Sequence, residues 1–492
     1  MPIAAVTVPT SSPAGSDDAI FRRNKAVFIC FDFTENACPT YYGSESYSTT
    51  RTILGRTSSK QLEDTSVADT HPGATVVGRV ALVGFGTVGR AVARILCETA
   101  KPSLRLTHIC NRNVGPKKQP WVPADVIWTE DFREVLSSDA DIVVELIGGL
   151  APAEEFVRSA LLAGKSVVTA NKQLIARHGP DLLQLANRTR CQLEFGASVA
   201  GGVPVLPALR TGLCGDRLHG ISGILNGTCN YILSRIETAR IPFSDALEEA
   251  QARGYAEADA SEDLDGGDAR AKLAILALAG LQACVSPEQI RARTIRAVDA
   301  VDFDYATELG CTIRQISRAD LKDGTMFAEV GPGLVATSSP FGRVQNNQNL
   351  VLTSGKYGGD MAFLGAGAGG DPTAVAVVSD LMFVAQSLSA GARSHWPQQF
   401  LAPKVSCDFE APWYLRFLVK DQPGIIAKLA AILSAHGLNI DAVLQKPGYE
   451  KAALPFVITL EPCRDSQLHP ALEEMAALDF AIKPCLLLPI LG

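Results

Sequence analysis

Histidine is scarce in this chain, seven residues in 492, and none of the twelve cysteines stands in a C-x-x-C pair. No Cys/His cluster has zinc spacing, which excludes a zinc ribbon or finger. The thiols, scattered from Cys30 to Cys485, read as reduced and in several cases buried. No run of 18 apolar residues occurs, so no transmembrane helix is expected and no membrane partner. No basic stripe or arm stands out. The 45 Lys and Arg and 52 Asp and Glu mix along the chain to a net charge of −7, a poor footprint for nucleic acid. A secretory apolar region is missing as well: residues 1–24 lack one, and "AVFICF" (26–31) is far too short. Residues 1–75 are rich in Ser, Thr and Ala, as a transit peptide would be. Asp17, Asp18, Glu35, Glu45, Glu63 and Asp64 count against that. The stretch reads as a mostly disordered extension, and the protein is expected in the cytoplasm.

Apolar residues make up 47% and charged residues 20%, enough for real cores, and the length suits about three domains. Organised structure is expected from about residue 76. "VGRVALVGFG" reads as a strand running into glycines, and "TVGRAVARILCETA" as a helix with Val88, Ala91, Val92 and Ile95 along one stripe. "LRLTHIC", "DIVVELIG" and "SVVTA" read as further strands, the second with the near-continuous apolar run of a buried parallel strand. Helices such as "APAEEFVRSALLAG" alternate with them. The fold class is therefore α/β, with an open parallel sheet of Rossmann type. The next region is glycine-rich, then helical, with a strongly apolar helix "GDARAKLAILALAGLQA"; beyond Phe303 the segments look shorter and more strand-like. A second glycine run, "LGAGAGGDPTA", precedes the helix "AVAVVSDLMFVAQSL", and a Pro-containing linker follows near 391–410. From Trp413 on, the order strand, helix, strand, strand, helix, strand predicts a ferredoxin-like module. The expected division is a 1–75 extension, a nucleotide-binding domain at 76–196 completed by 365–390, an α+β catalytic and dimerisation domain at 197–364, and a small domain at 411–492.

Gly84, Gly86 and Gly89 form G-x-G-x-x-G between a strand and a helix, the context in which that pattern binds a dinucleotide. The glycines permit a tight turn and close approach of backbone to pyrophosphate, and the helix N-terminus offers free N–H groups. The plainer reading is a turn that only packs strand on helix. At the end of the second strand an NAD enzyme usually carries an acid for the ribose. Here "CNRNVGPKK" has none; Arg112, Lys117 and Lys118 are placed to meet a 2′-phosphate, so NADP(H) is preferred to NAD, the alternative being an ordinary solvated basic loop.

Residues 254–277 crowd Glu257, Asp259, Glu262, Asp263 and Asp265 ahead of Asp268 and Lys272, the last two at i and i+4 on one helix face. Such a pair is often a surface salt bridge worth about 0.3–0.5 kcal/mol. The apolar "LAILALAG" that follows argues for burial, where a lysine and an aspartate are costly unless paired or functional. Lysine pKa shifts readily on desolvation, which suits acid–base work, and the acids suit a substrate ammonium. Lys172 in "SVVTANKQL" stands past a strand end, where ligands of such folds bind; a solvated surface lysine would read the same way.

Taken together these residues resemble homoserine dehydrogenase. The glycine fingerprint, "TANK" (169–172), "SVAGGVP…GILNGTCNYIL" (198–233), "GYAEAD…DLDGGDARAK" (254–272) and "GAGAGGDPTA" (365–374) come in the family's order, over roughly 78–388. The resemblance implies reversible NADP-linked reduction of L-aspartate 4-semialdehyde to L-homoserine, a step of threonine, methionine and isoleucine biosynthesis. It implies Lys272 as proton donor to the aldehyde oxygen, Lys172 as support for the developing oxyanion, and Glu257 and Asp268 as substrate ligands. Gly84, Phe85, Gly86, Thr87, Val88, Gly89, Arg112, Thr169, Lys172, Gly254 and Gly369 would touch the nucleotide. It also implies a monovalent cation, usually sodium, on backbone carbonyls at Gly196, Val199, Gly201 and Val203. Many members have Glu where this chain has Gly196, and a proline where it has Ala260.

The C-terminal region resembles an ACT domain, a module that senses amino acids. "VKDQPGIIAKLAAIL" carries D-x-P-G at Asp421, Pro423 and Gly424, and "GLNIDAV" (437–443) matches the next strand. The resemblance implies an amino-acid effector, threonine or another product, and a homodimer or homotetramer; a purely oligomerising module is the alternative. Rival functions are a hydroxy-acid dehydrogenase with an ACT tail, which needs a histidine backed by an acid, and a sensor on a dead dehydrogenase fold. The first lacks its motif here, and the second conflicts with intact Lys172, Glu257, Asp268 and Lys272. A fused aspartate kinase would need more than residues 1–75.

Overall fold

The computed structural model describes residues 78–98, 103–392 and 394–491. The extension expected at 1–75 lies outside them. Six strands form the first sheet: β1 (Gly78–Val83), β2 (Leu104–Cys110), β3 (Ile127–Thr129), β4 (Ile142–Glu145), β5 (Ser166–Thr169) and β6 (Leu193–Glu194). All pair in parallel, in the order β3-β2-β1-β4-β5-β6, so the order reverses beside β1. Parallel strands covered on both faces are near-continuously apolar, and β4 and β5 are buried at every residue, with polar groups only at their ends. The Thr87–Glu98 helix covers one face with Ala91, Val92 and Leu96, joined by Val377, Leu381 and Val384 of the Gly370–Ser389 helix. That last helix is long and apolar enough to cross a membrane by length and composition alone. Its apolar residues instead pack against Val80, Leu82 and Val144 of the sheet.

The second sheet is mixed. It contains β7 (Leu218–Ile224), β8 (Arg291–Ala292), β9 (Cys311–Lys322), β10 (Thr325–Ala336), β11 (Gln348–Gly355), β12 (Gly359–Ala366), β13 (Lys404–Ser406), β14 (Glu410–Val419), β15 (Ile440–Leu444), β16 (Leu454–Arg464) and β17 (Leu486–Leu491). Its main path runs β12-β11-β7-β9-β10-β17-β14-β16-β15, with β8 and β13 paired to β10. The expectation of short segments beyond Phe303 is corrected: β9 and β10 are twelve residues each. Charged Arg314 breaks the apolar pattern of β9, yet it is fully buried and pairs with Glu237 at 2.8 Å. The Gly267–Gly280 helix lies buried against this sheet through Leu273, Leu276 and Ala277.

Strands β14 to β17, with helices Ile425–Ala435 and Asp465–Ala476, make the ferredoxin-like module in the order β17-β14-β16-β15. The module is not a separate bead. Leu486 to Pro489 pair antiparallel with β14, whereas Ile490 and Leu491 pair parallel with β10, so β17 belongs to both halves. The 391–410 stretch is likewise tied down. Trp396 stacks on Phe195 with centroids 5.0 Å apart and donates from Nε1 to the Leu193 carbonyl, Leu401 bonds to residues 282 and 284, and β13 joins β10.

Candidate active site

At the end of β1 the three fingerprint glycines do different work. Gly84 has φ +105°, and a Cβ there would stand 2.7 Å from the Leu146 carbonyl oxygen; one on Gly89 would stand 2.1 Å from that of Gly84. Both are packing requirements. Around Gly86 a Cβ would meet nothing within 4 Å, so this exposed side of the turn is left open to a ligand at the helix N-terminus. Phe85 is buried, with its ring 4.9 Å from Trp128, and its N–H donates to Asn111 Oδ1 at 2.8 Å. Thr87 is exposed and Val88 half-buried. The second glycine run returns here: Gly369 has φ +133° at the start of the Gly370–Ser389 helix, and a Cβ on Gly370 would lie 2.9 Å from Thr87 Cγ2. Arg112 and Lys118 are exposed, Lys117 is half-buried, and none makes an ion pair among the described residues. Their segment is held by Val114 N–H donating to Glu130 at 2.8 Å. These residues fit a dinucleotide.

Thr169 ends β5 fully buried, donating to Glu145 Oε2 at 2.6 Å. Asn171 caps the Lys172–Thr189 helix, accepting from Leu174 N–H at 3.1 Å, and this puts Lys172 on its first residue. There Lys172 Nζ donates to Asp268 Oδ1. Asp268 opens the Gly267–Gly280 helix, where a carboxylate suits the positive dipole end, and its side chain is 5% exposed. One helical turn on, Lys272 Nζ sits 2.8 Å from Asp268 Oδ2 and donates to the Leu225 carbonyl at 2.8 Å. Two lysines 100 residues apart thus share one buried carboxylate. Burial opposes the charge on Asp268, but Lys272 and Lys172 outweigh it and hold the carboxyl well below the usual range. Burial also works against the Lys172 ammonium; Asp268 prevails and the net shift is upward.

One residue that the sequence did not assign to the site stands in it, beside one of the five crowded acids. Asn226 donates from Nδ2 to Asp263 and to Asp268, and burial pushes the Asp263 carboxyl up. The only signal in the sequence was the polar Asn226 ahead of a helix, inside the string "GILNGTCNY". Glu257 is not brought to the cluster. Its side chain is exposed and makes no hydrogen bond or ion pair with the lysines among the described residues. Gly254, with φ +73°, lies on the same exposed loop, anchored by Thr228 Oγ1 donating to the Tyr255 carbonyl at 2.7 Å.

At the expected cation turn, Gly196, Val199, Gly201 and Val203 are all buried. The Gly196 N–H donates to Asp380 Oδ2 at 2.6 Å, and the space for a Cβ on Gly196 is taken by that carboxylate, 2.7 Å away. The Val203 carbonyl accepts from Val205 N–H at 2.8 Å and keeps a second lone pair. Asp380 Oδ1 and Glu194 Oε1 are buried without a hydrogen-bond partner among the described residues. Arg210 pairs with Glu194 and stands 3.9 Å from Asp380 Oδ1, so one cation already meets these two carboxylates, and a monovalent ion here would rest on the carbonyl lone pairs of the turn.

Models of three families match the chain: homoserine dehydrogenase, NAD binding domain, over residues 84–196, homoserine dehydrogenase over 204–382, and ACT domain over 413–480. A homoserine dehydrogenase of Synechocystis is 36% identical over 422 residues, covering 82% of this chain and 96% of the relative. The chain belongs to the homoserine dehydrogenase family. The crystal structure of a homoserine dehydrogenase from Thiobacillus denitrificans superposes with a TM-score of 0.78 at 31% identity, covering 84% of this chain and 98% of that one. A hyperthermophilic archaeal homoserine dehydrogenase mutant in complex with NADPH gives 0.54 at 26% identity, over 63% and 98%. Homoserine dehydrogenases are oxidoreductases acting on a CH–OH group with a nicotinamide cofactor, and here the catalytic part is joined to an ACT domain.

Proposed function

We propose that the chain interconverts L-aspartate 4-semialdehyde and L-homoserine with NADP(H) at the Lys172–Asp268–Lys272 cluster. The observation that carries this is the buried Asp268 carboxylate ion-paired to both lysines. The nicotinamide, when bound, supplies or accepts the hydride. In reduction, Lys272 Nζ gives a proton to the aldehyde oxygen as the hydride reaches the carbon, so aldehyde, hydride and proton sum to the alcohol. Lys172, kept charged by Asp268, faces the developing oxyanion. Asp268 and Glu257 take the substrate ammonium, Glu257 after its exposed loop closes on the ligand.

NADP(H) rather than NAD rests on Arg112, Lys117 and Lys118 beyond β2, which are free of ion pairs among the described residues, and on the NADPH complex of the archaeal relative. Gly84 to Gly89, Thr169, Gly254 and Gly369 line the nucleotide. Sodium is held by the carbonyls of Gly196, Val199, Gly201 and Val203. The ACT domain takes an amino acid, threonine first among them, in a homodimer or homotetramer acting in the cytoplasm. Functional domains run over 76–196 with 365–390, over 197–364, and over 411–492.

Spectrophotometric assay of the purified full chain with homoserine tests this, with NADP and NAD in parallel and with and without threonine. Steady reduction of NADP, faster than of NAD, is expected. A folded protein that reduces neither overturns the reading.

A further inference from the structure

Asn226 is 3% exposed and every polar atom of its amide is used. Nδ2 donates to Asp263 Oδ1 at 2.6 Å and to Asp268 Oδ2 at 2.9 Å, and Oδ1 accepts from the Cys229 N–H at 2.8 Å. The orientation of the amide is therefore fixed. Turned over, its oxygen would face two carboxylates and its NH₂ would face an N–H. The peptide just before it offers the Leu225 carbonyl to Lys272 Nζ at 2.8 Å and to Asn349 Nδ2 at 2.9 Å. The side chain at 226 and the carbonyl at 225 thus hold three members of the cluster at once. A neutral two-fold donor between the Asp263 and Asp268 carboxyl groups meets both without adding a charge to the cluster.

We propose that Asn226 is a positioning residue for the reduction. Its amide separates Asp263 from Asp268 as a two-fold donor, and this aims Asp268 so that Lys272 keeps its place against Leu225 and stays available to the substrate oxygen. The proposal rests on the assignment of Lys272 and Asp268 made above. Asn226 also caps the Gly227–Ala239 helix, and a cap alone would give it a purely structural role. The two roles separate chemically. Aspartate is as good a helix cap as asparagine and nearly the same shape, so Asn226→Asp keeps the acceptor for Cys229 N–H but brings an acceptor-only group against two carboxylates.

Asn226→Asp in the full chain is expected to keep its far-ultraviolet circular dichroism and its KM for NADP within about twofold, while kcat falls by about tenfold to a hundredfold, the scale of a small misplacement at a reacting centre. The loss, taken as the ratio to wild type, is expected to shrink as pH falls, because the new carboxyl donates again once protonated. Asn226→Ser keeps the cap with a single, shorter donor and is expected to lose kcat with no such recovery; it serves if Asn226→Asp does not fold. Lys272→Ala is measured beside them. Wild-type kcat in Asn226→Asp, or a loss unchanged with pH, overturns the proposal while an inactive Lys272→Ala leaves the site assignment standing. An active Lys272→Ala overturns both.

Discussion

Asp268 holds two lysines from different helices on its two oxygens, and a group so placed serves catalysis only if the lysine it steadies is free to give up a proton. Lys272→Ala is expected to lower kcat by about a hundredfold to ten-thousandfold, the range of one general acid, with little change in cofactor affinity measured by nicotinamide fluorescence. A variant keeping most of wild-type kcat removes Lys272 from that role. The i, i+4 spacing makes this pair legible in the sequence, but Lys172 comes to it from 96 residues upstream of Asp268, a distance no local pattern can register. His395 offers a different test. It faces Glu194 at 3.5 Å, Arg210, Phe383 and Trp396, and burial with Arg210 pushes its pKa down to about 3. The unfolded chain binds a proton there below about pH 6.5, and the folded one does not. Stability is therefore complete above that pH and is lost as pH falls toward 3, by at most about 1.4 kcal/mol per unit. Denaturant melts at pH 7 and pH 5 are expected to show wild type losing about 2 kcal/mol more than His395→Gln. Equal losses would show that the histidine is protonated in the fold.

Among the elements, the turn after β1 separates packing from binding within one motif. Gly89→Ala forces a methyl 2.1 Å from the Gly84 carbonyl oxygen and is expected to lower the melting temperature measurably. Gly86→Ala meets no protein atom within 4 Å and is expected to fold normally, yet to weaken NADP binding at least about tenfold by calorimetry, because the methyl occupies the open side of the turn. Wild-type affinity in Gly86→Ala would place the pyrophosphate elsewhere. The fingerprint and the buried parallel strands were legible because each depends on neighbours within a few residues. The twelve-residue β9 was not: Arg314 looks solvated in sequence, and only Glu237, Thr312 and the Val344 carbonyl, brought against it by the fold, make its burial tolerable.

Across the whole molecule, the ACT module shares β17 with the large mixed sheet and is further held by buried ion pairs. Arg416 Nε lies 2.6 Å from Asp302, which is fully buried and also accepts from the Tyr414 hydroxyl at 2.8 Å. Arg291, paired with Glu329 on its own side, reaches Asp465 across the same boundary. Breaking such a pair leaves an unpaired charge inside, at a cost of about 3–5 kcal/mol. Arg416→Ala is expected to lower the first thermal transition of the full chain clearly, whereas Lys428→Ala, at an exposed pair with Asp479, is expected to leave it unchanged. Equal melting curves would mean that the Arg416–Asp302 pair does not hold the two halves together.

The sequence by itself determined the alternation of strands and helices in the nucleotide-binding and C-terminal regions, the glycine turn, the acid-rich helix with its lysine, and the family to which they point. All of these are written in spacings of two to four residues or in strings of ten. Tertiary structure alone decided that Lys172 meets Asp268, that Asn226 bridges two carboxylates, that the carboxylate of Asp380 fills the space beside Gly196, and that β17 bonds to both halves. Those contacts join residues tens to hundreds of positions apart, and what selects them is the balance of burial against charge, which is set only when the chain has closed around them.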